Sequence, residues 1–190
     1  MCTEKPVRPD LSSELGEEEF LRWYWLKDEL VDFARGVGVT PVTQKVDINN
    51  FFEELQKNHE VAVKGRDIDL IFEHKINEAV YFDENKIRRV MENLIKNASE
   101  AMVDAGEIRV TATKSSGWLQ ISVIDNGPGV PEHIRDSIFQ PFVTEEKQRG
   151  TGLGLPICHK IVMEHKGRME YFPVEPTGSR FDVRLPQTVK

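Results

Sequence analysis

The chain has 190 residues, enough for one proper hydrophobic core and at most a small appendage. Its formal charge of −7 argues against a broad nucleic-acid-binding surface, which would need clustered Lys and Arg. There is no run of 18 apolar residues and no signal-peptide pattern, Cys2 and Cys158 form no disulfide framework, and the five histidines lack metal-ligand spacing. A reducing cytoplasm is the expected setting.

Taken in order, residues 17–35 predict a helix, with Phe20, Trp23, Leu26, Leu30 and Phe33 recurring at steps of three and four. Gly36 and Gly38 stop it. A stripe this aromatic needs a partner, either the core of this chain or another subunit, which would give a route to oligomers. The expected division is 1–44 for tail, helix and linker, and 45–190 for one domain. Within that domain, residues 45–48 read as extended, and Asn49 or Asn50 reads as the cap of a helix over 51–57. Strands are expected over 61–64, 67–72 and 78–82, the last leading into a cap at Asp83. A long helix over 84–103 carries the apolar stripe Ile87, Val90, Met91, Leu94, Ile95, Ala98, Ala101 and Met102. A hairpin of strands 107–113 and 118–124 turns at 115–117, a helix follows over 153–164, and strands over 167–172 and 180–185 finish the chain. Helices followed by hairpins predict an α+β fold, a two-layer α/β sandwich with helices on one face of the sheet.

Two glycine clusters stand out, Asp125 to Gly129 (DNGPG) and Gly150 to Gly154 (GTGLG). The second opens a helix, where free backbone N–H groups converge and no Cβ blocks an anion. Asn93 and Asn97 lie four apart on the long helix, flanked by Glu92, Lys96 and Glu100. They are either part of a solvated face or an oxygen-donor face of the kind Mg²⁺ takes beside substrate phosphates. Asp125 ends a strand, and it is either a turn former or a carboxylate that accepts a hydrogen bond from the exocyclic amine of adenine.

Four segments resemble the N, G1, F and G2 boxes of sensor histidine kinases: ENLIKNASEA from Glu92, DNGPGV from Asp125, FQPFVT from Phe139 and GTGLGL from Gly150. The resemblance covers about residues 46–186. It implies the Bergerat-type fold, a mixed sheet covered on one face by three helices, with ATP between helix and lid. On matching positions, Asn97 would hold Mg²⁺, and Asn93 would sit beside it near the phosphates. Asp125 would take the adenine amine, with Gly127 and Gly129 letting the base approach. Gly150, Thr151, Gly152, Leu153 and Gly154 would cradle the phosphates, Lys147 or Arg149 would offer a cation to the terminal one, and Gly178 and Ser179 would complete the base end. Lys96, Glu100, Val130, Phe142 and Thr144 would complete the lining.

The chain departs from the family pattern in two ways. No His-Glu/Asp-x-x-Pro phosphoacceptor box occurs, so the acceptor histidine would lie on a dimerisation domain supplied in trans, with a response regulator as the next partner. Related hydrolysing ATPases carry a glutamate base where Asn93 stands, and an amide cannot take a proton from water. The pattern favours phosphoryl transfer to protein. The alternatives are an anti-sigma-type serine kinase and a non-catalytic nucleotide-binding module. Residues 26–36 resemble the end of a dimerisation helix, and the longer stretch before residue 40 also resembles a SAP-like module.

Overall fold

The structure is a computed structural model that describes residues 40–63, 65–102, 105–144 and 151–187. The helix expected over 17–35 lies outside these residues. The described elements are β1 (Gln44–Val46), α1 (Ile48–Val63), β2 (Asp67–His74), β3 (Val80–Phe82), α2 (Glu84–Ala101), β4 (Ala105–Ser115), β5 (Trp118–Asp125), a 3-10 turn (Glu132–Ser137), α3 (Gly154–Glu164), β6 (Arg168–Pro173) and β7 (Ser179–Pro186).

A five-stranded sheet runs in the order β2-β4-β5-β7-β6. Its β2–β4 pair is parallel, and β4–β5, β5–β7 and β6–β7 are antiparallel. The architecture is therefore the expected mixed α/β sandwich. Strand alternation points Ile68, Ile108, Val110, Ala112, Leu119, Ile121, Val123, Met169, Phe181, Val183 and Leu185 into one buried layer, which the three helices cover. The opposite face is polar and laced with ion pairs, such as Arg109 to Glu73 at 2.8 Å and Arg180 to Asp182 at 2.7 Å. The β4–β5 hairpin closes through Ser116 and Gly117 at φ 52° and 78°, the left-handed pair that a two-residue turn requires.

Two boundaries of α1 correct the sequence reading. Asp47, and neither Asn49 nor Asn50, caps the helix, because its Oδ1 accepts the Asn49 N–H at 2.9 Å. Residues 61–63 continue the helix instead of forming a strand. Ile48, Phe51, Phe52 and Leu55 supply the i, i+3, i+4, i+7 stripe that outweighs the weak alternation at its end. Phe51 packs edge-on against Phe82 at 5.3 Å, and Phe52 against Phe72 at 5.2 Å.

Helix α2 is the central beam. Asp83 caps it by accepting the Lys86 N–H at 3.2 Å. Ile87, Val90, Met91, Leu94 and Ile95 are all essentially inaccessible, each contributing about 2 kcal/mol of apolar burial before chain entropy is counted. The helix stops at Ala101, short of the expected residue 103, and Ala101 is exposed. The Arg66 guanidinium donates to the Ser99 and Met102 carbonyls, satisfying the helix end. Met102 turns extended and buries its side chain beside Gly106, where a Cβ would collide with the methionine sulfur. Cys158 is buried in α3, where desolvation pushes its thiol up to about 12, so it acts as a small apolar side chain.

His165 joins the two helices that frame the site. Its Nδ1–H donates to the Ile161 carbonyl at 2.7 Å, and its Nε2 accepts the N–H of Asp83, the α2 cap, at 3.2 Å. Lys86 pairs with Glu164 at 2.8 Å across the same joint. This arrangement needs a neutral imidazole, and burial is the main cause holding His165 below its ordinary value of 6.5. The unfolded chain therefore takes up a proton that the folded chain resists. The stabilisation is complete above pH 6.5 and is lost as pH falls from there toward the lowered folded value. Denaturant melts across this range should show stability falling with pH, and His165→Asn should flatten part of that slope while costing about 1 kcal/mol at alkaline pH. An unchanged slope in the variant would contradict the role.

Candidate functional site

Asp125 ends β5 at 5% exposure, directly opposite Ser179 on β7. Its Oδ1 accepts the Gly127 N–H at 2.9 Å and the Ser179 N–H at 3.3 Å. Desolvation raises the carboxyl above its ordinary value, and these two N–H groups and the Ser179 side chain pull it back. The outcome is a buried acceptor group whose orientation is set by backbone donors.

Glycines allow the backbone crossing around it. A Cβ on Gly127 would lie 3.0 Å from Asp125 Oδ1 and 3.3 Å from Met102 Cγ. Gly129 sits at φ +79° with room for no Cβ beyond 3.0 Å from the Gly178 carbonyl oxygen. Gly178, at φ +139°, passes so close to Asp125 that a Cβ would collide with its carbonyl oxygen. Asn126 fastens the loop's start, with its Oδ1 accepting the Glu107 N–H at 2.8 Å.

Asn93 and Asn97 are half-buried on α2. The Asn93 amide donates to the Arg89 carbonyl at 3.0 Å, which turns its Oδ1 outward to within 3.2 Å of where a Cβ on Gly154 would stand. The structure thus brings Asn93 to the N-terminus of α3. One turn on, the Asn97 side chain makes no hydrogen bond among the described residues. Lys96 and Glu100 lie on the exposed side as an i,i+4 pair at 3.8 Å.

The α3 N-terminus begins after Leu153, which is fully buried, and no side chain caps it. Its first-turn N–H groups and the positive end of the helix dipole face the Asn93 side. Thr151 Oγ1 accepts the Leu153 N–H at 3.3 Å. Gly152, at φ +68°, is needed because a Cβ would stand 2.7 Å from the Phe142 Cα, and the Phe142 N–H donates to the Gly152 carbonyl at 2.9 Å. Phe142 is 66% exposed, and Phe139 stacks on His159 of α3 at 5.1 Å. Thr144 is half-buried, and Lys147, Arg149 and Gly150 lie outside the described residues.

The described residues hold no cluster of three or more His, Cys, Asp or Glu suited to a metal. The half-buried Asn97 amide fits the alternative, a hard cation held by one amide oxygen, water and substrate phosphates. Among the described residues, no helix is long and apolar enough to cross a membrane.

Sequence reasoning named Gly178 but missed the contacts that fix the site, Met102 under Gly127 and the close pass of Gly178 over Asp125 among them. These are contacts between segments far apart in the chain, and no local pattern announces them.

A buried acid in a glycine loop and an asparagine facing a glycine-led helix N-terminus are the features by which a class of ATP-binding domains is known. Residues 82–189 match the family described as histidine kinase-, DNA gyrase B- and HSP90-like ATPase, and the chain belongs to that family. It is 34% identical to the sensor histidine kinase ZraS of Escherichia coli K12 over 147 residues, which cover 77% of this chain and 31% of ZraS. It is 41% identical to sporulation kinase C of Bacillus subtilis over 104 residues, covering 55% of this chain and 24% of that kinase. The chain thus spans between a quarter and a third of these curated relatives. Among solved structures, the catalytic domain of histidine kinase ThkA matches with a TM-score of 0.70 and 32% identity, over 77% of this chain and 99% of that one. ThkA in complex with response regulator protein TrrA matches with a TM-score of 0.76 and 26% identity, over 98% of this chain and 53% of that one.

Gly117 and Gly178 separate strain from collision. Both have positive φ, but a Cβ on Gly117 meets nothing within 4 Å. Gly117→Ala should cost about 1 kcal/mol, and Gly178→Ala on the order of 3 kcal/mol as the Asp125 backbone shifts. Equal losses in denaturant melts would contradict the crossing.

Proposed function

We propose that this domain binds MgATP and transfers its γ-phosphoryl group to a histidine carried on a dimerisation helix of another polypeptide segment. The observation that supports it best is the pairing of two ends on one site. Asp125 sits buried and oriented at the base end, and Asn93 Oδ1 faces the uncapped N-terminus of α3 at the phosphate end. The Asp125 carboxylate accepts the adenine amine. Backbone amides from Thr151 to Gly154 would take the phosphates, Asn97 would hold Mg²⁺, and Lys147 or Arg149 would meet the terminal phosphate. When bound there, Mg²⁺ would supply neutralisation of charge on the phosphates, and the protein's share is positioning.

Asn93 cannot act as a base toward water, so phosphoryl transfer is favoured over hydrolysis. A neutral imidazole nitrogen attacks the γ-phosphorus, the bond to the β-bridging oxygen breaks, and ADP leaves with that electron pair. ThkA was solved with a response regulator, and by likeness to it a response regulator receives the phosphoryl group from the histidine. A need for ATP is in keeping with a cytoplasmic setting.

Calorimetry with Mg²⁺ and ADP tests the binding. Asp125→Asn should weaken it about ten- to a hundred-fold, the worth of a hydrogen bond to a charged acceptor. Tight binding by the variant would overturn the role of Asp125, and no binding by the unaltered chain would overturn the proposal. Incubation with γ-labelled ATP and a separate histidine-helix dimer should give an acid-labile label on the dimer. An acid-stable label would point to serine phosphorylation, and no label to a nucleotide-binding module.

A further inference from the structure

Val130 is held from both sides by side chains that lie outside the sequence motifs. Its N–H donates to the Tyr171 hydroxyl on β6 at 3.3 Å, and its carbonyl accepts from Arg135 Nε in the 3-10 turn at 2.9 Å. The residues around it explain why a clamp is useful. On one side stands Gly129 at φ +79°, a soft joint with few conformational limits. On the other stands Pro131 at φ −55°, a rigid one. Fixing both polar groups of Val130 fixes the two peptide planes between them, and so the wall that Gly127 and Gly129 form beside Asp125. Among the described residues the loop has no strand partner there that could do this work.

We propose that Tyr171 and Arg135 are positioning residues for adenine recognition, acting together through the Val130 peptide groups. The inference rests on the nucleotide reading above. The Tyr171 ring packs on Phe181 at 5.3 Å, a contact that phenylalanine would preserve, so the hydroxyl has a separable task. Arg135 is in the turn that leads from the base loop toward Phe139, so the same clamp ties the base wall to the segment that stacks on α3.

The test measures Mg²⁺-dependent binding of ADP and of inorganic tripolyphosphate, which carries the phosphate end without a base. Tyr171→Phe should weaken ADP about five-fold and Arg135→Ala about ten-fold, with tripolyphosphate and the thermal midpoint little changed. Arg135→Lys, which keeps a donor, should recover part of the loss. The double variant should fall short of the roughly fifty-fold product, because both bonds secure one residue. Unchanged ADP affinity in both single variants would overturn the inference, as would equal losses for ADP and tripolyphosphate, which would mark a general structural role. An unaltered chain that binds tripolyphosphate but no ADP would overturn the base reading itself, and the clamp with it.

Discussion

The site is organised around a carboxylate that is buried yet kept supplied with hydrogen bonds. Burying a carboxylate is costly unless donors meet it, and at Asp125 those donors are the backbone N–H groups of Gly127 and Ser179. One donor comes from the loop after β5 and the other from the start of β7, so the chain leading into β7 through Gly178 must cross against the end of β5. The crossing leaves no space for a Cβ at Gly178 and very little at Gly127 or Gly129. The glycine pattern of the first cluster is thus a packing requirement created by one acid.

Helix α2 carries Asn93 and Asn97 to the N-terminus of α3. Its buried stripe holds it against the sheet, and its two ends are tied by different means, Asp83 with His165 at one end and Arg66 at the other. Fixing both ends fixes the rotation of the helix, and rotation decides whether Asn93 and Asn97 look toward α3 or toward solvent. The Asn93 amide spends its donor on Arg89, which leaves the oxygen directed at Gly154. A polar face on a helix becomes a site here because tertiary contacts far from it hold its angle.

Much of this was legible from residue patterns. The stripe from Ile87 to Ala98, the Asp83 cap, the hairpin at Ser116–Gly117 and the strand-end position of Asp125 all follow from local chemistry, and the structure has them within a residue or two. Errors came where long-range contacts decide. The first helix runs through residues 61–63, because its stripe against β2 and β3 outweighs a short β-branched alternation. The long helix ends early because Arg66, some thirty residues upstream, takes its last carbonyls. The contacts of Tyr171 and Arg135 with Val130 were invisible for the same reason: neither residue belongs to a periodic pattern, and their partner is a backbone group.

Membership of the histidine kinase-, DNA gyrase B- and HSP90-like ATPase family agrees with this geometry. On the proposed function, the Asp125 carboxylate reads the edge of the base. Adenine offers an amine there, whereas guanine offers a carbonyl oxygen that would face a carboxylate with no proton between them. Calorimetric titration with ADP and GDP in the presence of Mg²⁺ compares the two directly. The account predicts ADP at least about a hundred-fold tighter, because a wrong base leaves a buried acceptor unpaired. Equal affinities would contradict it.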